Sequence, residues 1–236
     1  MTTPQKRTAE AIADSAKDGP EAKKAKTGGK NGTLYHKSHA SSVRPLQVIY
    51  ELGLSDIEIK TITDDDYIKT DEYTKLNPNQ TVPLFVDEHV TLTESTAICL
   101  YLLDKYDTEF KIHPKHSDAV KRAKFYEWMF YGPATMYATT TPIYLEKREK
   151  EPSEEHMDKQ KKKWVERCGT FLEKALQHGN DYILGDYSAA DSVLGYDVYA
   201  AENLGILDAD KFPKIAEYLK RLKGRDSFKK TFPEVQ

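Results

Sequence analysis

Apolar positions are sparse over residues 1–32 and recur afterwards with a period that changes from segment to segment. Leu34-Tyr35-His36 reads as a short strand. Between Ser42 and Leu52, Val43, Leu46, Val48, Ile49 and Leu52 fall at helical spacing, and Gly53 follows where a left-handed residue closes a helix. Asp56 to Thr63 (DIEIKTIT) alternates apolar and polar, as a half-buried strand does. Asp64-Asp65-Asp66 opens a loop or short helix running to Leu76, and Asn77-Pro78-Asn79-Gln80 forms a turn. Val82 to Val86 is the next strand, with a tight turn near Asp87-Glu88. Val90 to Leu92 then leads into a helix from Ser95 to Tyr106. The predicted order is strand, helix, strand, loop or helix, strand, strand, helix.

From Ser117 onward the pattern is helical only. Ala119 to Tyr131 is amphipathic and rich in aromatics, and Glu146 to Lys163 is intensely charged, a solvated helix end or an excursion between helices. Trp164 to Gln177 places Trp164, Val165, Cys168, Phe171, Leu172 and Ala175 on one helical face. Asp191 to Leu204 and Phe212 to Lys223 are further helices. Ser188-Ala189-Ala190-Asp191 reads as a capping-box start, a structural role for Asp191. The expected architecture is an α/β half over 33–108 followed by an all-helical half over 116–236.

Charge and composition narrow the function classes. Thirty-five basic against 38 acidic residues give a formal net charge of −3, so no global field draws the chain to nucleic acid or membrane. No apolar run approaches the ~20 residues a membrane-spanning helix needs. Residues 1–32 contain no aromatics and almost no large aliphatics, which predicts a mobile tail without a secretory signal. Its two basic clusters, Lys6-Arg7 and Lys23-Lys24-Ala25-Lys26, read either as a nuclear address or as ordinary solvated charge. Two distant cysteines, Cys99 and Cys168, offer no disulfide framework, which suits a reducing, cytoplasmic setting. The seven histidines show no metal-ligand spacing, His113 and His116 fall in a loop, and no metal is expected.

The run LNPNQTVPLFVDEHVTLTESTAICLYLLDKY, Leu76 to Tyr106, resembles the glutathione-site region of cytosolic glutathione transferases. It carries the Asn-Pro turn, Val-Pro before a strand, Glu-Ser opening a helix, and the Tyr-Leu that closes it. LGDYSAADSVLGYDVYAAENLG and FPKIAEYLKRLKGRDSFKKTF resemble the C-terminal helices of the same family, with Asp226 where proline is usual. The resemblance covers about Thr33 to Phe232 and implies a thioredoxin-like domain followed by an all-helical one.

It also implies site residues. The backbone of Val82, ahead of a cis Pro83, would pair with the cysteinyl unit of glutathione; the alternative is that Pro83 only begins an edge strand. Ser95, at a helix start, would hold the γ-glutamyl carboxylate with Glu94 beside the amine, or the two would serve only as a cap. Gln80 would reach the glycyl end or remain a solvated turn residue. The group acting on the thiol falls on the turn HKSHASSVRPL, where Ser41 is the first choice, then Ser42, then Ser38. Tyr35, inside the strand, is read as structural. An apolar second-substrate pocket would draw on Trp128, Phe130, Tyr131, Met136 and Tyr137. The implied function is a homodimeric glutathione transferase that conjugates the thiolate to small apolar electrophiles, with glutathione as co-substrate. The alternatives are a non-catalytic module for protein association or ligand carriage, and a glutathione-dependent isomerase or peroxidase.

Overall fold

The computed structural model describes residues 31–235, so the basic clusters of the N-terminal segment lie outside the described residues. Four strands, β1 (Thr33–His36), β2 (Glu58–Thr61), β3 (Leu84–Val86) and β4 (Thr91–Leu92), form one sheet in the order β2-β1-β3-β4. β1 runs parallel to β2 and antiparallel to β3, and β3 is antiparallel to β4. A parallel pair needs a crossover, and helix α1 (Val43–Leu52) supplies it between β1 and β2. Gly53 closes α1 in the left-handed conformation its place in the sequence predicts. Helices α2 (Asp71–Leu76) and α3 (Ser95–Tyr106) complete the thioredoxin-like part.

Seven helices follow: α4 (Ala119–Tyr131), α5 (Tyr137–Glu146), α6 (Glu154–Trp164), α7 (Thr170–Ala175), α8 (Ala189–Asn203), α9 (Pro213–Lys223) and α10 (Asp226–Thr231). Wide five-residue turns at Gly132–Met136 and Val165–Gly169 link α4 to α5 and α6 to α7. The fold class is the expected one, α/β followed by all-α. Two elements depart from expectation. α5 has no strong apolar stripe and contains Pro142, yet it forms with Thr139, Thr140 and Ile143 buried, its Thr139 and Thr141 hydroxyls satisfied on the Met136 and Tyr137 carbonyls. The helix read over Phe212 to Lys223 ends there, and beyond Gly224 a further short helix follows, opened by Asp226.

The core centres on α1 and α8. α1 is buried from Val43 through Ile49, including Arg44 and Gln47, because it lies between the sheet and the helical half, against α3, α8 and α10. At the far end of α1, Glu51 receives two 2.7 Å bonds from Arg225 and one from Ser227, which seats α10. Asp191 is fully buried in the first turn of α8. Its carboxylate accepts from the Ser188 N–H and hydroxyl, the Ile183 N–H and the Tyr218 hydroxyl, at 2.9–3.0 Å. Asp191 is therefore a structural cap. Among the described residues no helix is long and apolar enough to cross a membrane.

Candidate functional site

The turn between β1 and α1 is pinned from below by Ser42. Its hydroxyl donates to the Lys37 carbonyl and accepts from the Lys37 N–H, both at 3.0 Å. With its one proton spent, it also faces His36 Nδ1 at 3.0 Å as an acceptor. Burial pushes the His36 imidazole down to about 4, so His36 is neutral at ordinary pH. Ser42 is wholly buried and its hydrogen-bonding capacity is used, which corrects its place among the candidate thiol-activating groups. Ser41, one residue earlier, points the other way. It is partly exposed, and its hydroxyl donates to the Val82 carbonyl at 3.4 Å. The Val82–Pro83 bond is cis, as expected. The β1–α1 turn and the start of β3 thus meet at Ser41 and Val82.

Glu94 and Ser95 stand at the N-terminus of α3. Glu94 is exposed with φ 68° and ψ 110°, a left-handed conformation that non-glycine residues seldom adopt and that concentrates at functional sites. The Ser95 hydroxyl accepts a 3.1 Å bond from Arg44 Nη1. Arg44, in the first turn of α1, also grips Asp197 of α8 with two bonds from Nη2, at 2.8 and 3.0 Å. Both side chains are essentially out of solvent, at 1% and 0% exposure, so this ion pair is held in a medium that punishes an unpaired charge. Burial pushes the Asp197 carboxyl above its usual range, opposed by the Arg44 guanidinium. The guanidinium further lies 5.3 and 4.8 Å from the Tyr137 and Tyr196 ring centres. Gly132 makes room for this arrangement, since a Cβ there would come within 2.6 Å of Asp197 Oδ2. Arg44, Asp197 and Gly132 were not among the sequence candidates. No local signal marks them: the apolar spacing of α1 leaves Arg44 off its apolar face, and the burial of that side comes from packing between the two halves.

Gln80 is exposed with φ 54°, and its amide bonds Thr74 at 3.3 Å. A cavity of about 350 Å³ opens against the Lys37–Ala40 turn, walled by Tyr137, Thr140 and Tyr144 of α5 and Tyr196, Tyr199 and Leu204 at α8. Ser38 is exposed at its rim, and the His39 carbonyl is held by the Tyr196 hydroxyl at 2.9 Å. Of the aromatic residues expected there, Tyr137 lines the cavity. Trp128 and Tyr131 do not. They stack with Phe171 at 5.6 and 5.2 Å and fasten α4 to α7, with the Tyr131 hydroxyl on the Arg167 carbonyl. Met136 is fully buried, while Phe130 is exposed and lies outside the cavity. Tyr35 packs edge-on against Tyr73 at 5.5 Å, consistent with its structural reading. Both cysteines are buried and free, and burial pushes Cys99 up to about 12 and raises Cys168. Neither offers a thiolate, so any sulfur chemistry at this site belongs to a ligand.

Residues 40–110 match a family model for the glutathione S-transferase N-terminal domain. Glutathione S-transferase D7 of Drosophila melanogaster is 29% identical over 197 residues, 80% of this chain and 83% of that protein. A glutathione transferase from Methylococcus capsulatus is 27% identical with a TM-score of 0.73, covering 86% of this chain and 98% of that one. The glutathione transferase URE2P6 from Phanerochaete chrysosporium, solved with oxidized glutathione, shares the fold at 23% identity and TM-score 0.76, over 88% of this chain and 97% of that one. Sheet, helices and these likenesses agree: residues 40–110 match a glutathione S-transferase N-terminal domain, and the whole described chain is similar in fold to glutathione transferases.

Proposed function

We propose that this chain binds glutathione across Val82, Glu94 and Ser95 and conjugates its thiolate to small apolar electrophiles. The observation that carries the reading is the 3.4 Å approach of the Ser41 hydroxyl to the Val82 carbonyl, which sets a donor beside the backbone expected to receive the cysteinyl unit. The ligand's amide N–H takes over the Val82 carbonyl and frees the Ser41 proton for the sulfur. The γ-glutamyl carboxylate sits on the α3 N-terminus, whose N–H groups and partial positive charge favour it. Because Arg44 occupies a lone pair of Ser95, the Ser95 proton is left for that carboxylate. Glu94 faces the ligand's amine and Gln80 its glycyl end.

A free thiol titrates at ~8.5, and a downward shift of about two units leaves most of it ionised at neutral pH. The Ser41 hydroxyl and the α1 N-terminus both favour the thiolate. The sulfur lone pair then forms the S–C bond while the electrophile's leaving group departs with its electron pair. The tyrosine-lined cavity holds the electrophile next to the sulfur, so catalysis rests on thiolate stabilisation and proximity. If the Ser41–Val82 bond survives ligand binding, the protein is a glutathione carrier, and that is the second reading. The family's pairing of the sheet half with a partner's helical half supports a homodimer, which a monomeric mass in solution would contradict.

The test is turnover of glutathione with an aromatic halide. Ser41→Ala should lower kcat about a hundredfold, as loss of one preorganised donor does, while retention on immobilised glutathione persists. Ser38→Ala should change little. Equal, small effects at Ser38 and Ser41 would remove the hydroxyl mechanism.

A further inference from the structure

The segment joining α3 to α4 carries a cluster that the proposed reaction does not use. Asp104 in the last turn of α3, and His113 and His116 in the connection to α4, each bring one ligand-type atom within 4.8 Å of the other two. His113 is the fixed member. Its Nδ1 lies 2.8 Å from Asp107 Oδ2, and Asp107 is itself buried and anchored by the Lys111 and Ile112 N–H groups at 2.8 and 2.9 Å. An ionised carboxylate only accepts, so Nδ1 carries the proton and Nε2 presents its lone pair. That Nε2 is buried and has no hydrogen-bond partner among the described residues, an arrangement that costs free energy when nothing satisfies it. With Nδ1 engaged by Asp107, Nε2 is the atom His113 has free to offer a ligand set. Phe110 packs against both rings, at 5.0 Å from His113 and 5.2 Å from His116, and shields the cluster on one side.

We propose that Asp104, His113 and His116 bind a divalent transition-metal ion of the zinc class, with Asp107 as the positioning residue for His113. Two imidazoles and one carboxylate are borderline-soft donors that suit zinc or cobalt and not calcium or magnesium. A carboxylate behind a ligating histidine is the usual outer partner of such a site. Ligands on a tetrahedral zinc stand roughly 3.4 Å apart, given bonds of about 2.0–2.2 Å. Asp104 and His116 are exposed, so rotation of those two side chains about the fixed His113 closes the set. Three protein ligands leave a fourth position for water. The ion would tie the end of α3 to the connection entering the helical half. Residues 1–30 contain no histidine or cysteine, so the N-terminal segment cannot replace these donors with imidazole or thiolate.

The experiment uses the full untagged chain, stripped with a chelator and titrated with cobalt and then zinc. A visible tetrahedral cobalt band, displaced by zinc, is expected. Thermal unfolding should rise by about 5–10 °C at free zinc a hundred times Kd. Asp104→Ala and His116→Ala, both at exposed positions, should leave the melting temperature of the metal-free protein in place and weaken zinc at least tenfold. The absence of a band and of any shift at millimolar zinc would overturn the proposal. So would unchanged zinc affinity in both variants, which would put the ion elsewhere.

Discussion

Helix α8 buries two aspartates six residues apart, and the first turn of the helix treats its carboxylate very differently from the middle. Asp191 is satisfied by neutral donors from Ser188, Ile183 and Tyr218, all in the helical half. Asp197 is satisfied by a charge from the other half, Arg44, whose third contact is Ser95 at the expected ligand site. The first arrangement holds a helix end. The second makes the packing of the two halves and the geometry of the site a single matter, because moving α8 moves Arg44 and with it the Ser95 hydroxyl. Equal burial thus says little about role; the origin of the partner decides it.

That difference can be broken by mutation. The largest effect is expected from Arg44→Met, which strands the Asp197 carboxylate and should cost about 3–5 kcal/mol by denaturant unfolding. Adding Asp197→Leu should recover most of the stability and none of the glutathione affinity. Recovery of both would mean Arg44 serves packing alone. Next in size is a pH effect at the base of the site turn. The folded pKa of His36, about 4, lies below its ordinary 6.5, so between those values the unfolded chain holds the extra proton. Its contribution is therefore complete above about pH 6.5 and lost as pH falls toward 4, roughly 3 kcal/mol in all. Unfolding curves of the wild type and His36→Asn across that window should diverge by this slope; parallel curves would contradict it.

Asp191→Asn keeps the shape and removes acceptor capacity from a buried, four-donor site. It should cost about 1–3 kcal/mol and leave glutathione affinity unchanged in the folded protein. Gly132→Ala forces a methyl against Asp197 Oδ2 and should cost a similar or smaller amount, about 1–3 kcal/mol, but with weakened glutathione binding. If calorimetry shows Asp191→Asn weakening the ligand as much as Gly132→Ala does, the contrast between the two aspartates fails.

The same contrast explains what was legible beforehand. The Asp191 cap is written within four residues of sequence, and the strand and helix periods gave nearly every element of the sheet half. Partners far apart in the chain leave no such trace. Arg44 and Asp197 are separated by 153 positions, and nothing local marks either as the other's counter-ion. Adjacent serines are equally opaque: Ser41 and Ser42 differ only in which way the turn aims them, one to Val82 and the other into the core. The aromatic spacing of α4 offered Trp128 and Tyr131 as pocket lining, and nothing in it said that Phe171 rather than a ligand cavity receives them. α5 was missed because tertiary burial of Thr139, Thr140 and Ile143 overrides the poor helix propensity of its threonines and proline, which an apolar period does not register.

The central claim is that the Ser95 hydroxyl, polarised by Arg44 at the head of α3, and the Val82 backbone together hold glutathione. Isothermal calorimetry of the intact chain with reduced glutathione addresses it directly. The expected result is a saturable, one-to-one binding heat that Ser95→Ala weakens about tenfold, a loss of about 1.4 kcal/mol. No heat at millimolar glutathione, or equal affinity in the wild type and Ser95→Ala, would contradict it.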